Sequence, residues 1–223
     1  MKIELASKFL YRYQFQTILI VNLFYLVGVL GIELPATHSF FMALIPFALL
    51  LNSIVILLSH NFERGKKELT VLLLIFLIGY LVEIIGVNTH QIFGNYSYGN
   101  GLGIKFFGTP PLIGINWVML VYCSASISAY TGWPKVIQIF LASFLMIIYD
   151  SVLEHVAPFL DMWKWEGNTI PVQNYLAWFT VAIGFQVLLK WTGVRTNNKV
   201  ASAIFICQFL FFVVILIFLK LIS

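Results

Sequence analysis

The chain has 223 residues, 61% of them hydrophobic and 10% charged, with a mean hydropathy of +0.94. A water-soluble domain carries about 45–50% apolar and roughly 25% charged residues, so there are too few charges here to cover a water-facing surface. Two cysteines exclude a disulfide scaffold and a four-cysteine zinc site, and a net charge of +4 from scattered Lys and Arg offers no dense patch for nucleic acid. The composition is that of an all-α, polytopic integral membrane protein.

A spanning helix needs about 20 mostly apolar residues. Seven such runs follow in chain order, at roughly 15–33, 39–59, 69–88, 111–131, 135–154, 173–191 and 200–221. Lys2, Lys8 and Arg12 precede the first run, as in a signal peptide. The run is of span length, however, and Leu26 to Glu33 has no small-residue cleavage site, so it reads as an uncleaved first helix. Short polar or Gly/Pro segments separate most runs, and two longer outer connections, near 89–110 and 155–172, hold the unusual residues. No repeat or soluble domain interrupts 1–223, which reads as a single seven-helix transmembrane domain.

Orientation follows from the bias of Lys and Arg toward the cytoplasmic side. With the N-terminus inside, ten basic residues fall in inner segments and three, Lys105, Lys164 and Lys220, in outer ones. The expectation is therefore an inside N-terminus and an outside C-terminus. Six of the nine acids, Glu33, Glu83, Asp150, Glu154, Asp161 and Glu166, lie toward the outer side. With His90 and His155 they make the outer half of the bundle the seat of any chemistry.

Glu83 stands inside the third run, where a charge costs roughly 2.5–3.5 kcal/mol on insertion scales. Gly79 and Gly86 flank it at i−4 and i+3, a small-residue face that lets another helix approach. A protonated Glu83 could equally serve only as an interhelical hydrogen bond. Asp150 and Glu154, at i and i+4, share one helix face near the outer end of the fifth run. Two carboxyls so close in a low-dielectric site resist joint ionisation, which leaves a proton available. Their bland reading is a pair of solvated acids at a helix end, since Pro158 ends or kinks that helix nearby. His155 lies about 100° around the helix from Glu154, so it could face elsewhere. No helix carries the H-E-x-x-H zinc spacing, and no metal is expected.

The outer connections are aromatic. Tyr96 and Tyr98 stand in the first, Trp163 and Trp165 in the second, with Asn116 and Trp117 opening the fourth run and Asn174 the sixth. Such rings form interfacial belts, or line a pocket where their faces stabilise a cation. A retinal protein is excluded, because Ala201 to Leu219 lacks the deep lysine a Schiff base needs.

Four ordered motifs carry a resemblance. They are Glu83-Ile-Ile-Gly-Val-Asn-Thr-His-Gln-Ile-Phe-Gly-Asn-Tyr-Ser-Tyr98, Gly108-Thr-Pro-Pro-Leu-Ile-Gly-Ile-Asn-Trp117, Asp150-x-x-x-Glu154, and Trp163-x-Trp165 with Ile170-Pro-Val-Gln-Asn-Tyr-Leu-Ala-Trp178. Over roughly residues 70–180 the chain resembles the membrane carotenoid-biosynthesis family that includes the CruF-type carotenoid 1,2-hydratases (bisanhydrobacterioruberin hydratase-like). His155 departs from that pattern, which has proline directly after its Asp-x-x-x-Glu.

The resemblance implies addition of water to the terminal 1,2 double bond of an acyclic carotenoid end group, leaving a tertiary hydroxyl. It implies a substrate in the bilayer of a bacterial or archaeal plasma membrane, with lipid and other carotenoid enzymes as candidate partners, and the chemistry itself requires no cofactor. The chemistry needs a positioned acid, a shielded tertiary carbocation and a water. Glu83, Asp150, Glu154 and His90 are the candidate catalytic groups. Tyr96, Tyr98, Asn116, Trp117, Trp163, Trp165 and Asn174 are the candidate substrate-binding ones. An intramembrane lycopene cyclase begins with the same protonation. A proton-coupled carrier using Glu83 and Asp150, and a pigment-binding protein without turnover, are the readings from other classes.

Overall fold

The computed structural model describes residues 12–62 and 65–222 and is 73% helical. Lys2, Lys8 and Arg64, which enter the charge count, lie outside the described residues, as do Glu4 and Glu63. Among the described residues, six helices are long and apolar enough to cross a membrane. They are α1 (Gln14–Glu33), α4 (Lys66–Thr89), α5 (Leu112–Ala129), α6 (Lys135–Val156), α7 (Val172–Thr192) and α8 (Lys199–Ile222). All six fall within three residues of the expected runs.

The second expected run, 39–59, is not one helix. It divides into α2 (His38–Ala43) and α3 (Ile45–Leu58), a 14-residue apolar helix. Pro46 at the start of α3 explains the break, because it has no N–H to give the carbonyl of Met42 four residues back. Among the described residues the bundle therefore has six helices of span length and one shorter apolar helix, Ile45–Leu58, in place of seven equal ones.

Helix ends follow local chemistry. Leu34 precedes Pro35 and is forced extended, at φ −79° and ψ 119°, which stops α1. Pro111, Pro134 and Pro171 stand just before α5, α6 and α7. Asn198 caps α8, its Oδ1 accepting the N–H groups of Val200 and Ala201 at 3.1 Å each.

The central helix is α5. It is 78% buried along its apolar window, against 28–33% for the other five spans. Around it pack α3, α4, α6, α7 and α8, while α1 lies outboard on α8. The outer surfaces carry rows of exposed Leu, Ile, Val and Phe, such as Leu19, Leu23, Leu81 and Phe144. A surface that apolar suits hydrocarbon and not water; the protein is a multi-pass membrane protein.

The two outer connections are ordered, and they pair with each other. β1 (Tyr96–Tyr98) and β2 (Trp163–Trp165) form an antiparallel ribbon with Tyr96 opposite Trp165 and Tyr98 opposite Trp163. Period-two alternation turns both tyrosines and both tryptophans inward and leaves Ser97 and Lys164 exposed. This small ribbon closes the end of the bundle where the carboxylates lie.

Candidate active site

Glu83 occupies the inward face of α4, one turn after Gly79. A Cβ at Gly79 would stand 2.8 Å from Cγ of Trp117, so only glycine lets that indole lie against α4. Trp117 then donates from Nε1 to Oε1 of Glu83 at 2.9 Å. The ribbon supplies the other oxygen: the hydroxyls of Tyr96 and Tyr98 donate to Oε2 at 2.6 and 2.7 Å. The small face around Glu83 thus admits an aromatic ring from α5, as its flanking glycines predict.

Glu154 on α6 is held in the same manner. Trp163 and Trp165 donate from their indole nitrogens to its Oε2 at 2.9 and 2.6 Å. Its Oε1 accepts from Nδ2 of Asn174 on α7 at 2.9 Å. The same amide nitrogen donates to Oδ2 of Asp150 at 3.2 Å, which puts Asp150 and Glu154 on one face as their spacing requires. Oδ1 of Asp150 is buried and has no hydrogen-bond partner among the described residues.

All three carboxyl groups are almost fully buried, at 0–3% exposure. Every donor named above is a neutral hydroxyl, indole or amide. Three ionised carboxylates in one apolar enclosure without a cation would be prohibitively costly, so the cluster is a place that holds protons. The Tyr96 and Tyr98 phenols, outside the spans, are held well above the ordinary tyrosine value, first by burial and then by the negative charge of Glu83. Both remain O–H donors.

Between Glu83 and Glu154 lies a cavity of about 10 Å³, walled by Phe93, Tyr96, Tyr98, Ile113, Trp163, Trp165, Asn174 and Trp178. That is the volume of about one water, with polar partners on two sides. Trp178 stacks on Trp117 with centroids 4.1 Å apart and planes 22° apart. The tyrosines and tryptophans of the ribbon face each other, Tyr96 against Trp165 at 5.0 Å and Tyr98 against Trp163 at 6.1 Å.

The candidates named from the sequence divide. Nine of them form two hydrogen-bonded sets, Tyr96, Tyr98 and Trp117 on Glu83 and Trp163, Trp165, Asn174 and Asp150 about Glu154, and the two sets face each other across the cavity. Asn116 is buried beside Trp117 but bonds none of the three carboxyls. His90 is not brought to the site: it is the exposed C-cap of α4, in the left-handed region at φ 60°, with its N–H on the Gly86 carbonyl at 2.8 Å. His155 is exposed, its Nδ1 against the Ser151 carbonyl at 2.8 Å. Among the described residues, no group of three His, Cys, Asp or Glu is arranged to hold a metal ion.

Sequence reasoning missed three walls, Phe93, Ile113 and Trp178. Trp178 was within reach, since it follows Asn174 by four residues and so shares its face of α7. A second buried polar group lies among α3, α4 and α5. There His60 meets the Tyr122 hydroxyl at 2.6 Å through Nδ1 and Glu68 at 3.5 Å through Nε2.

Residues 40–223, most of the chain, match the family model described as carotenoid biosynthesis protein. No curated protein and no solved structure matches the chain.

Proposed function

The chain belongs to the carotenoid biosynthesis protein family, and we propose that within it the protein is a hydratase that adds water to the terminal 1,2 double bond of an acyclic carotenoid end group. The observation that carries this reading is the pair Glu83 and Glu154, facing each other across a water-sized, aromatic-walled cavity. Behind it, Asn174 ties Glu154 to Asp150.

In this mechanism Asp150 and Glu154 hold a proton between them, and Glu154, which lines the cavity, delivers it. The proton bonds to C2 of the end group and the π electrons leave a tertiary cation at C1. Trp163, Tyr96 and Tyr98, which wall the cavity, present their rings to that positive charge and keep bulk water out, while Trp117 acts from behind as a donor to Glu83. A water taken into the cavity and oriented by the Glu83 carboxylate bonds through oxygen to C1 and gives its extra proton to a carboxylate of the cluster. One water is consumed, one tertiary alcohol is formed and the acid is restored. General acid catalysis of this kind contributes typically 10²–10⁴-fold. The reading assigns no step to His90 and no cofactor.

The cavity takes the water but not the end group, so the aromatic walls must part when the pigment binds. The charge bias supports an inside N-terminus, which places the carboxylates in the outer half of a bacterial or archaeal plasma membrane.

Co-expression in a bacterium that makes lycopene, with the pigments read by liquid chromatography and mass spectrometry, tests the proposal. A more polar pigment heavier by one water, absent with Glu83→Gln or Glu154→Gln, is expected. An isomer of unchanged mass would make the protein a cyclase, which shares the protonation step. No change with any of several acyclic end groups would leave a carrier or a pigment-binding role.

A further inference from the structure

A groove of about 500 Å³ runs between α1, α3 and α8, within the size range of pockets that hold small-molecule ligands. We infer that this groove binds the long conjugated chain of the substrate while its end group is worked on at the carboxylates. The inference rests on the hydratase reading for the end group, but not for the groove itself.

The groove follows α1 from Ile20 to Ile32, about 18 Å at 1.5 Å per residue. Its shape therefore suits an extended chain and not a compact molecule. Six of its lining residues are aromatic, Phe24, Tyr25, Phe41, Phe47, Phe211 and Phe212. Aromatic faces reward a flat conjugated chain with offset stacking, which a saturated acyl chain cannot supply. Val27 and Phe47 on its lip are exposed to the lipid side, so a bilayer-dissolved pigment enters sideways.

Continuity with the carboxylate site identifies the occupant. The outer end of the groove is closed by Leu160 and Met162, and the next residue is Trp163, which donates to Glu154. Deeper, Phe212 of the groove wall packs edge-on against Tyr149, at 5.7 Å and 87°, and Tyr149 adjoins Asp150. The short segment 160–163 thus lines the groove at Leu160 and Met162 and the cavity at Trp163. That segment is pinned from the other connection, where the Gly99 N–H donates to the Met162 carbonyl at 2.9 Å and the Gly101 N–H to the Asp161 carbonyl at 2.7 Å. A shift of this segment joins the two spaces into one channel, chain in the groove and end group between the carboxylates.

The test fills the groove from its lip. The wild type, Ala48→Trp, Val27→Trp and the control Leu81→Trp, which is lipid-facing but off the groove, are purified in native-lipid particles from lycopene-making cells. Bound pigment is read by absorbance, and converted pigment by mass. Ala48→Trp and Val27→Trp should each lower bound pigment by about tenfold or more, the loss expected for displacing one or two apolar contacts. Conversion should fall with it, and Leu81→Trp should match the wild type. Pigment bound equally by wild type and filled variants, or by none, would overturn the inference and leave the groove to membrane lipid. Pigment held by the wild type and lost in the filled variants, with no mass gain in any, would support the groove and sink only the hydratase reading.

Discussion

The amide nitrogen of Asn174 donates to Asp150 at 3.2 Å and to Glu154 at 2.9 Å, so both of its protons are committed to the two acids of α6. Replacing it by leucine keeps the bulk and removes both donors. A hydrogen bond to a charged group is worth about 1.5–3 kcal/mol, so Asn174→Leu should lower conversion by roughly one to two powers of ten. Asn174→Asp should be worse, since it offers another acceptor where two donors are needed. Conversion in the co-expression assay, with the amount of folded protein measured alongside, decides it; a leucine variant as active as wild type would show that the bridge is dispensable.

The ribbon makes a second prediction by alternation. Trp163 and Trp165 each give one N–H to the same Glu154 oxygen, and Tyr96 and Tyr98 each give one O–H to the same Glu83 oxygen. Trp163→Phe and Tyr98→Phe should each cost about tenfold in conversion, while Ser97→Ala and Lys164→Ala, whose side chains point outward, should change nothing. A larger effect at Lys164 than at its neighbours would mean that the inward register has been misassigned.

Much of this was legible in the residues and some was not. Long apolar runs fix where helices lie because the chain must satisfy its backbone inside hydrocarbon, and α1 and α4 to α8 follow that rule. Pro46 was visible too, but a run of apolar residues hides a break unless the missing N–H is counted. Asp150 and Glu154 sit together because helical spacing is local. That Glu83 joins them depends on how α4, α5, α6 and α7 pack, and no local pattern encodes it. The ribbon is harder still, because three-residue strands 65 positions apart carry no periodicity of their own, and Tyr-Ser-Tyr and Trp-Lys-Trp read equally well as an interfacial belt. His90 was a candidate because it lies with the acids toward the outer side, yet its backbone takes the left-handed turn that ends α4 and carries it away.

Gly79 offers a test of the packing that holds Glu83. A Cβ there would meet Trp117 at 2.8–3.0 Å, and that indole is fixed on its far side by the stack with Trp178 and at Nε1 by Glu83. Gly79→Ala should therefore destabilise the protein by about 1–3 kcal/mol, as overpacking does, and lower conversion with it. Gly184, helical and with open space around its Cα, is the control: Gly184→Ala should be neutral or stabilising by up to about 1 kcal/mol. Thermal unfolding of the two variants in detergent separates the cases, and an undisturbed Gly79→Ala would mean that Trp117 moves freely.

Alkaline stability reports on the tyrosines of the ribbon. Burial, and then the charge of Glu83, hold the Tyr96 and Tyr98 phenols above the ordinary value of about 10. The folded protein thus keeps protons that the unfolded chain releases, and by linkage stability must fall as pH rises. The contribution of each phenol is fully present below about pH 10 and is lost progressively above it. Phenylalanine cannot ionise in either state, so Tyr96→Phe with Tyr98→Phe should remove part of the alkaline slope. The same pair of substitutions lowers stability near neutral pH, because Glu83 loses two donors. The two unfolding curves should therefore converge as pH rises above 10. Parallel curves over that range would show that neither phenol is held protonated by the fold.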